Sequence, residues 1–171
     1  SEALIFVYGI SSAYDRALST EFGAPQRFSV GGFLAPVIGL GSFSIHPAIR
    51  YDFYSDYMPG AFSGSLGVSY KLSDTDSLKA NLSCSYRVPC FEDLYWPSGS
   101  GFEGNPSLRP ETGYSADVGY ERSSQGLSYS AFAFARYAQD VILWQIGMDG
   151  IWRPSNFGAA LYPGVEQELK L

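Results

Sequence analysis

The stretch Ser77-Leu78-Lys79-Ala80-Asn81-Leu82-Ser83-Cys84-Ser85-Tyr86-Arg87-Val88 alternates strictly between apolar and polar residues. Side chains of an extended strand point to opposite faces in turn. Leu78, Ala80, Leu82, Cys84, Tyr86 and Val88 therefore share one face, and Ser77, Lys79, Asn81, Ser83, Ser85 and Arg87 the other. The pattern continues outward in both directions. Upstream, Phe62, Leu66, Val68, Tyr70 and Leu72 oppose Ser63, Ser65, Ser69 and Lys71, and before them Phe43, Ile45, Ile49, Tyr51 and Phe53 oppose Ser44, His46, Arg50 and Asp52. Downstream, Tyr114, Ala116, Val118 and Tyr120 alternate with Ser115, Asp117 and Glu121. Soluble strands usually run about 5–6 residues, whereas strands that span a membrane need about 9–11. These runs reach the longer class, and their polar faces, rich in Ser and Gly with scattered charges, suit a lumen better than bulk water.

The alternation predicts strands over 3–11, 27–36, 42–54, 61–72, 77–88, 112–122, 126–142 and 160–171. Short connections fall at 37–41, 73–76 and 123–125, and long ones at 12–26, 89–111 and 143–159; the connection at 55–60 is intermediate. Short turns on one side and long loops on the other mark an up-and-down transmembrane barrel. The fold expected is all-β: an antiparallel up-and-down transmembrane β-barrel segment, about eight strands of a larger barrel. All three tryptophans, Trp96, Trp144 and Trp152, lie on the long-loop side, where an interfacial aromatic belt, packing among the loops, or stacking on a ligand each accounts for them. Two places resist. Residues 127–138 carry Tyr129, Ala131, Ala133, Ala135 and Tyr137 on one face but Phe132 and Phe134 on the other, leaving their direction open. Pro163 suggests that the last ladder starts late.

Composition narrows the function. Asp and Glu outnumber Lys and Arg 17 to 11, so nucleic acid is not an expected partner. No apolar run reaches the roughly 18 residues of a membrane helix, so any crossing is made by strands. Cys84 and Cys90 would stand about 20 Å apart on an extended chain, beyond disulfide reach unless Pro89 bends it. His46, the single histidine, lies on a polar strand face with Arg50 and Asp52, and no serine elbow marks a nucleophile, so no catalytic residue is assigned. Asp74-Thr75-Asp76 mimics the start of a calcium loop, but the later Gly and Glu are missing. No metal site or cofactor is expected.

A family resemblance emerges from residue 86 onward. Tyr86-Arg87-Val88-Pro89-Cys90-Phe91-Glu92-Asp93-Leu94-Tyr95 resembles the Y-R-x-P-x-x-x-E-L-Y segment of TonB-dependent receptors. Gly104-Asn105-Pro106-Ser107-Leu108-Arg109-Pro110-Glu111 is similar to their G-N-P-x-L-x-P-E loop-to-strand entry. Asp140-Val141-Ile142 resembles the family's D-x-I strand end, and Asn156-Phe157-Gly158 with Gly164-Val165-Glu166 its N-x-G…G-V-E return strand. Ile45-His46-Pro47-Ala48-Ile49-Arg50-Tyr51-Asp52 resembles an upstream strand of the same barrels.

The resemblance implies an outer-membrane transporter of about 22 strands, closed by an N-terminal plug. It would import a scarce nutrient such as a siderophore, cobalamin or haem, with outer-membrane lipid around it and a TonB-type energy-coupling protein acting through the plug. The expected domain is 1–171, a partial barrel without plug or terminal strand. A complete small eight-stranded barrel and a soluble β-sandwich binding module are the alternatives. Aromatic rings and arginine forks suit ligand capture, which makes Tyr95, Trp96, Phe102, Glu103 and Arg109 in one loop and Trp144, Trp152 and Arg153 in another the candidate ligand-binding residues. Arg87, Pro89, Asn105, Pro106, Pro110, Glu111, Gly164 and Glu166 are the candidate structural motif, with Arg87 and Glu111 placed to pair.

Overall fold

The computed structural model describes residues 2–56, 60–99 and 101–171. Its strands are β1 (Glu2–Ile5), β2 (Tyr8–Arg16), β3 (Gln26–Leu34), β4 (Val37–Leu40), β5 (Phe43–Tyr54), β6 (Ala61–Lys71), β7 (Asp76–Arg87), β8 (Glu111–Ser124), β9 (Leu127–Gln139), β10 (Ile142–Ile146), β11 (Trp152–Asn156) and β12 (Ala159–Lys170), with a one-turn helix α1 at Phe91–Tyr95. Ten of these form one antiparallel sheet, and β10 and β11 form a separate hairpin. Because β1 runs into β2, and β3 into β4, in unbroken register against their neighbours, the ten segments make eight continuous strands. The sheet is not closed: among the described residues β1 and β2 bound one edge and β12 the other.

One cross-strand row shows why the sheet has the faces it has. Leu4, Ile38, Ile45, Val68, Ala80, Val118, Ala133 and Val165 stand side by side across all eight strands. The next row carries Gly39, Ser44, Ser69, Lys79, Gly119, Phe132 and Glu166. A one-residue slip anywhere would turn a strand's apolar set to the other face. The apolar face is open to its surroundings, with Leu82 59 % exposed and Val118 59 %, as a lipid-facing surface is. Aromatic pairs border the band. Phe43–Tyr70 (4.5 Å between ring centroids) and Tyr120–Tyr129 (6.4 Å) lie toward the short turns, and Tyr114–Tyr137 (6.5 Å) toward the long loops. Phe62 and Tyr70 are eight residues apart on β6, about 26 Å of strand at 3.3 Å per residue, which fits the roughly 25 Å apolar band of outer-membrane barrels.

The ladders settle the direction of β9: Tyr129, Ala131, Ala133, Ala135 and Tyr137 join the apolar rows. Phe132 and Phe134 face the lumen side by lying flat on cross-strand glycines. A Cβ on Gly119 would meet the Phe132 ring at 2.2 Å, and one on Gly164 the Phe134 ring at 2.4 Å. Phe33 covers Gly9 in the same way. This is why an apolar ring is tolerated on that face, and it gives Gly164 of the motif its structural reason.

Several sequence expectations are corrected. The first strand runs on to Arg16, held by the Tyr14 hydroxyl donating to Gln26 Oε1 at 2.6 Å, so its loop shortens to 17–25. The turn expected at 37–41 is the two residues Gly41-Ser42, Gly41 having φ +61°. The turn expected at 123–125 is Gln125-Gly126, with Gly126 at φ +78°. The break that hid β4 has a plain cause. The register Leu34↔Ile49 and Ile38↔Ile45 sets Pro36 opposite Pro47, and neither residue has an amide hydrogen to give the ladder. The last ladder does not start late: β12 pairs with β9 from Ala159, with Pro163 opposite Ala135 on an edge strand where its missing donor costs little. The connection at 55–60 lies partly outside the described residues. Cys84 and Cys90 are not bridged.

Candidate functional site: the loop cap

The residues that bury themselves are not in the sheet. Leu94, Leu108 and Ile142, at 3 %, 3 % and 7 % exposure, form a small core among the long loops, with Tyr95 packed against it. Pro89, in the loop after β7, and Pro154, in β11, are fully buried as well. A chain that leaves a membrane strand and must hold a fixed loop needs this local core. The sequence supplies it within 89–111 and 140–158.

Asp93 is the junction of the cap. Its Oδ2 accepts the Cys90 amide at 3.2 Å and so caps α1, while Oδ1 accepts the Trp144 indole N–H at 3.0 Å. Its backbone carbonyl accepts the Asn105 amide at 2.8 Å. Asp93 is 5 % exposed, and burial of a carboxylate is tolerated because each lone pair in use meets an N–H donor. Opposite α1 stands the β10–β11 hairpin. The Trp152 amide donates to Gly101 O at 2.8 Å and the Glu103 amide to Trp152 O at 2.9 Å, so 101–103 is laid along β11 as a short parallel bridge. Asn105 Nδ2 donates to Pro154 O at 3.1 Å.

A second knot ties the hairpin to the wall. Asn156 Oδ1 accepts the Arg109 amide, and its Nδ2 donates to the carbonyls of Arg109 and Asp140, all at 2.8 Å. Arg109 Nη2 donates to Asp140 Oδ1 at 2.5 Å. Asp140 adopts φ +55°, a left-handed conformation that aspartate accepts more readily than most side chains. Arg87 and Glu111 meet through two parallel bonds of 2.7 and 2.6 Å, and Glu111 Oε1 also accepts the Ile142 amide at 2.7 Å. The motif residues around Pro89, Pro106 and Pro110 thus bracket segments whose polar groups are used in fixing loop to strand.

The aromatic residues of the cap form one cluster with Phe102 at its centre. Phe102 lies 6.0 Å from Trp96, 6.0 Å from Trp144 and 6.5 Å from Trp152, the last pair nearly parallel at 23°. Phe22, from the 17–25 loop, joins through Trp96 at 6.1 Å. The tryptophans pack among the loops, while the interfacial girdles are made by Tyr and Phe. Phe102 and Trp152 remain 41 % and 40 % exposed and offer a ring surface outward. Arg153 donates to Glu103 at 2.6 Å and to Asp149 at 2.8 Å. The Arg153 guanidinium holds the Asp149 carboxyl below its ordinary range. Burial first, then the Asp56 carboxylate, pushes the Tyr95 phenol up.

Of the candidate ligand-binding residues, Trp96, Phe102, Trp144 and Trp152 come together, with Glu103 and Arg153 at their rim. Tyr95 turns instead toward Asp56 at 3.4 Å, and Arg109 toward Asp140. Glu166 lies outside the cap, opposite Phe132 in the wall. His46 bonds Ser44 at 2.8 Å, whereas Arg50 bonds Ser11 and Asp52, so the polar trio read from the sequence is not one site. Asp74 and Asp76 belong to a tight turn in which Ser73 and Thr75 donate to Asp76 at 2.5 and 2.6 Å. Among the described residues no cluster of His, Cys, Asp and Glu could hold a metal. The alternation misplaces Tyr86: β7 stops pairing with β6 at Cys84, and the Tyr86 hydroxyl donates to Asp52 Oδ2 at 2.7 Å on the polar side. Arg27 bonds Asp56 and Pro89, 29 and 62 residues along the chain, and nothing local in the sequence points to those partners. Asp93 lies within the motif segment, but its partner Trp144 comes from another loop.

Long antiparallel strands, apolar outside and polar inside, with an ordered cap on the long-loop side, define the wall of a transmembrane β-barrel. The comparisons with known proteins agree. The family described as TonB dependent receptor-like, beta-barrel matches residues 6–171, and the chain belongs to it. Its members are transporters of the outer membrane of Gram-negative bacteria, not enzymes. The chain is similar to a vitamin B12 transporter, BtuB, of Vibrio vulnificus strain YJ016, 35 % identical over 105 residues that cover 61 % of the chain and 16 % of that protein. It is also similar to BtuB of Photobacterium profundum, 23 % identical over 86 % of the chain and 24 % of that protein. The siderophore receptor PirA of Pseudomonas aeruginosa superposes with a TM-score of 0.85 over 97 % of the chain and 33 % of that receptor, at 19 % identity. The ferric enterobactin receptor PfeA of the same organism superposes with a TM-score of 0.84 at 17 % identity, over 97 % of the chain and 30 % of that receptor. The chain therefore spans about a quarter or less of the curated relatives and about a third of the matched structures.

Proposed function

We propose that residues 1–171 are a section of barrel wall and loop cap from an outer-membrane transporter that imports a scarce nutrient of the cobalamin or siderophore kind. The observation that carries this reading is the family match over 6–171 together with the eight-strand amphipathic sheet. In it the apolar face meets outer-membrane lipid, the polar face lines the lumen, and the cap takes part in ligand capture. Energy would come from a TonB-type partner acting through parts of the protein other than this wall. Cobalamin is the first ligand to try, because sequence relatives bear that name, while the siderophore receptors support the fold alone. In the cap, the outward faces of Phe102 and Trp152 and the Glu103–Arg153 pair favour a ligand with an extended apolar or aromatic surface and polar substituents.

The test is uptake. A strain lacking the gene that encodes this chain, with and without a plasmid copy, is given labelled cyanocobalamin and labelled ferric enterobactin as probes. Loss of one uptake on deletion and its return with the plasmid support the reading and choose the ligand class. Unchanged uptake of both, with the gene product absent from the outer-membrane fraction, overturns it.

A further inference from the structure

Arg27 sits on β3, and the residue opposite it in the ladder is Asp15. Its guanidinium nevertheless serves more distant groups. Nε donates to Asp56 Oδ1 at 2.7 Å, and Nη2 donates to the carbonyl of Pro89, 62 residues along the chain, at 3.1 Å. The guanidinium carbon stands 5.0 Å from the centroid of Phe91, the first residue of α1, and 5.7 Å from that of Tyr54. Side-chain exposure is 8 % for Arg27 and 11 % for Asp56. The contacts continue beyond it: the Tyr54 and Tyr86 hydroxyls are 2.9 Å apart, and Tyr86 reaches Asp52, which also binds Arg50.

Burying a guanidinium is costly unless its charge is paired and its donors are occupied. Here one of the occupied donors and one of the stacked rings belong to the cap. The wall alone cannot satisfy this side chain; it is satisfied only with residues 89–91 in place. We infer that Arg27 is the positioning residue of the loop cap, its planar fork fixing where α1, and with it the aromatic cluster, stands over the lumen. The chemistry requires a fork. A lysine would keep a charge and three donors beside Asp56, but its compact ammonium cannot span the separate positions of Nε and Nη2 or offer Phe91 a planar cation. What the placed cap does rests on the transporter reading; the placement itself does not, so it is tested without ligand.

The experiment is hydrogen–deuterium exchange on the complete gene product in detergent, comparing wild type with Arg27→Gln and Arg27→Lys. The cap amides to follow are Leu94, Trp96, Gly104 and Asn105, which donate to Cys90, Glu92, Trp96 and Asp93. Both variants are expected to speed exchange at these amides at least tenfold, while those of β6 and β7 keep their wild-type rates. Unchanged cap amides overturn the proposal. Full protection restored by Arg27→Lys also overturns it, since charge beside Asp56 would then suffice. Faster exchange spread equally through β6 and β7 overturns it too, because Arg27 would be supporting the wall.

Discussion

In the wall, Leu82 and Val118 lie 59 % exposed and, among the described residues, none of the apolar rows is buried; in the cap, Leu94 and Leu108 are 3 % exposed. The two regions reach order by different physics. Among the described residues the wall has no apolar core of its own. Its backbone is satisfied strand to strand, and its apolar face is matched to hydrocarbon. The cap behaves as a small water-soluble fold, with a core, buried charges and side chains such as Asp93 that answer backbone donors. One chain therefore carries two solvents in its design, and the boundary runs near Arg87, Glu111 and Gln139.

Substitutions can break that contrast in both directions. The largest effect is expected for Leu108→Ala, which opens a cavity in the cap core and costs about 2–5 kcal/mol of local stability. Proteolysis within 97–107 should then become rapid while the strands stay protected; equal resistance to wild type would mean that the cap does not depend on its core. Leu82→Arg places a charge between the aromatic girdles and costs about 2–4 kcal/mol near the bilayer midplane. Urea unfolding in lipid vesicles should register it, whereas Ser65→Arg on the lumen face should be nearly silent. If the two cost the same, the assignment of faces is wrong. Gly119→Val drives a branched side chain into the Phe132 ring and costs about 1–3 kcal/mol, read as a lower yield of the heat-modifiable folded band; an unaltered yield would mean the ring can swing clear.

The smallest effect concerns pH. Asp149 is held below its ordinary carboxylate range by Arg153. Its ordering of the hairpin tip is present above that range and is lost as pH falls through the depressed value. The Ile151 amide, which donates to Asp149 at 3.1 Å, should report this as a chemical-shift titration that Asp149→Asn abolishes. A titration at the ordinary carboxylate value would show that the pair is not formed.

The same contrast decides what could be read from the sequence. Period-two alternation is local, so the strands from Phe43 to Tyr120 announce themselves, and even the lumen glycines are visible as gaps in it. What failed in the wall failed where the cause was across the ladder. Pro36 meets Pro47 on another strand, and Phe132 is explained only by Gly119 opposite it. In the cap nearly every contact that matters spans the chain: Trp144 to Asp93, Arg27 to Pro89, Asn156 to Arg109. Motif resemblance drew attention to Arg87, Asn105 and Glu111 but could not show that Asp93 and Arg27 hold the same loop. Arg27 in particular sits in an ordinary alternating strand, and nothing near it in sequence distinguishes it.

The three tryptophans have a consequence for light as well as for packing. Trp96, Trp144 and Trp152 all lie in the cap, whereas tyrosines such as Tyr51, Tyr70, Tyr114 and Tyr137 line the wall. Within this chain, indole emission is a signal from the loops and phenol emission is dominated by the strands. Residues 1–171 thus carry separate optical reporters for cap and wall, and a change in one can be followed apart from the other without attaching a dye.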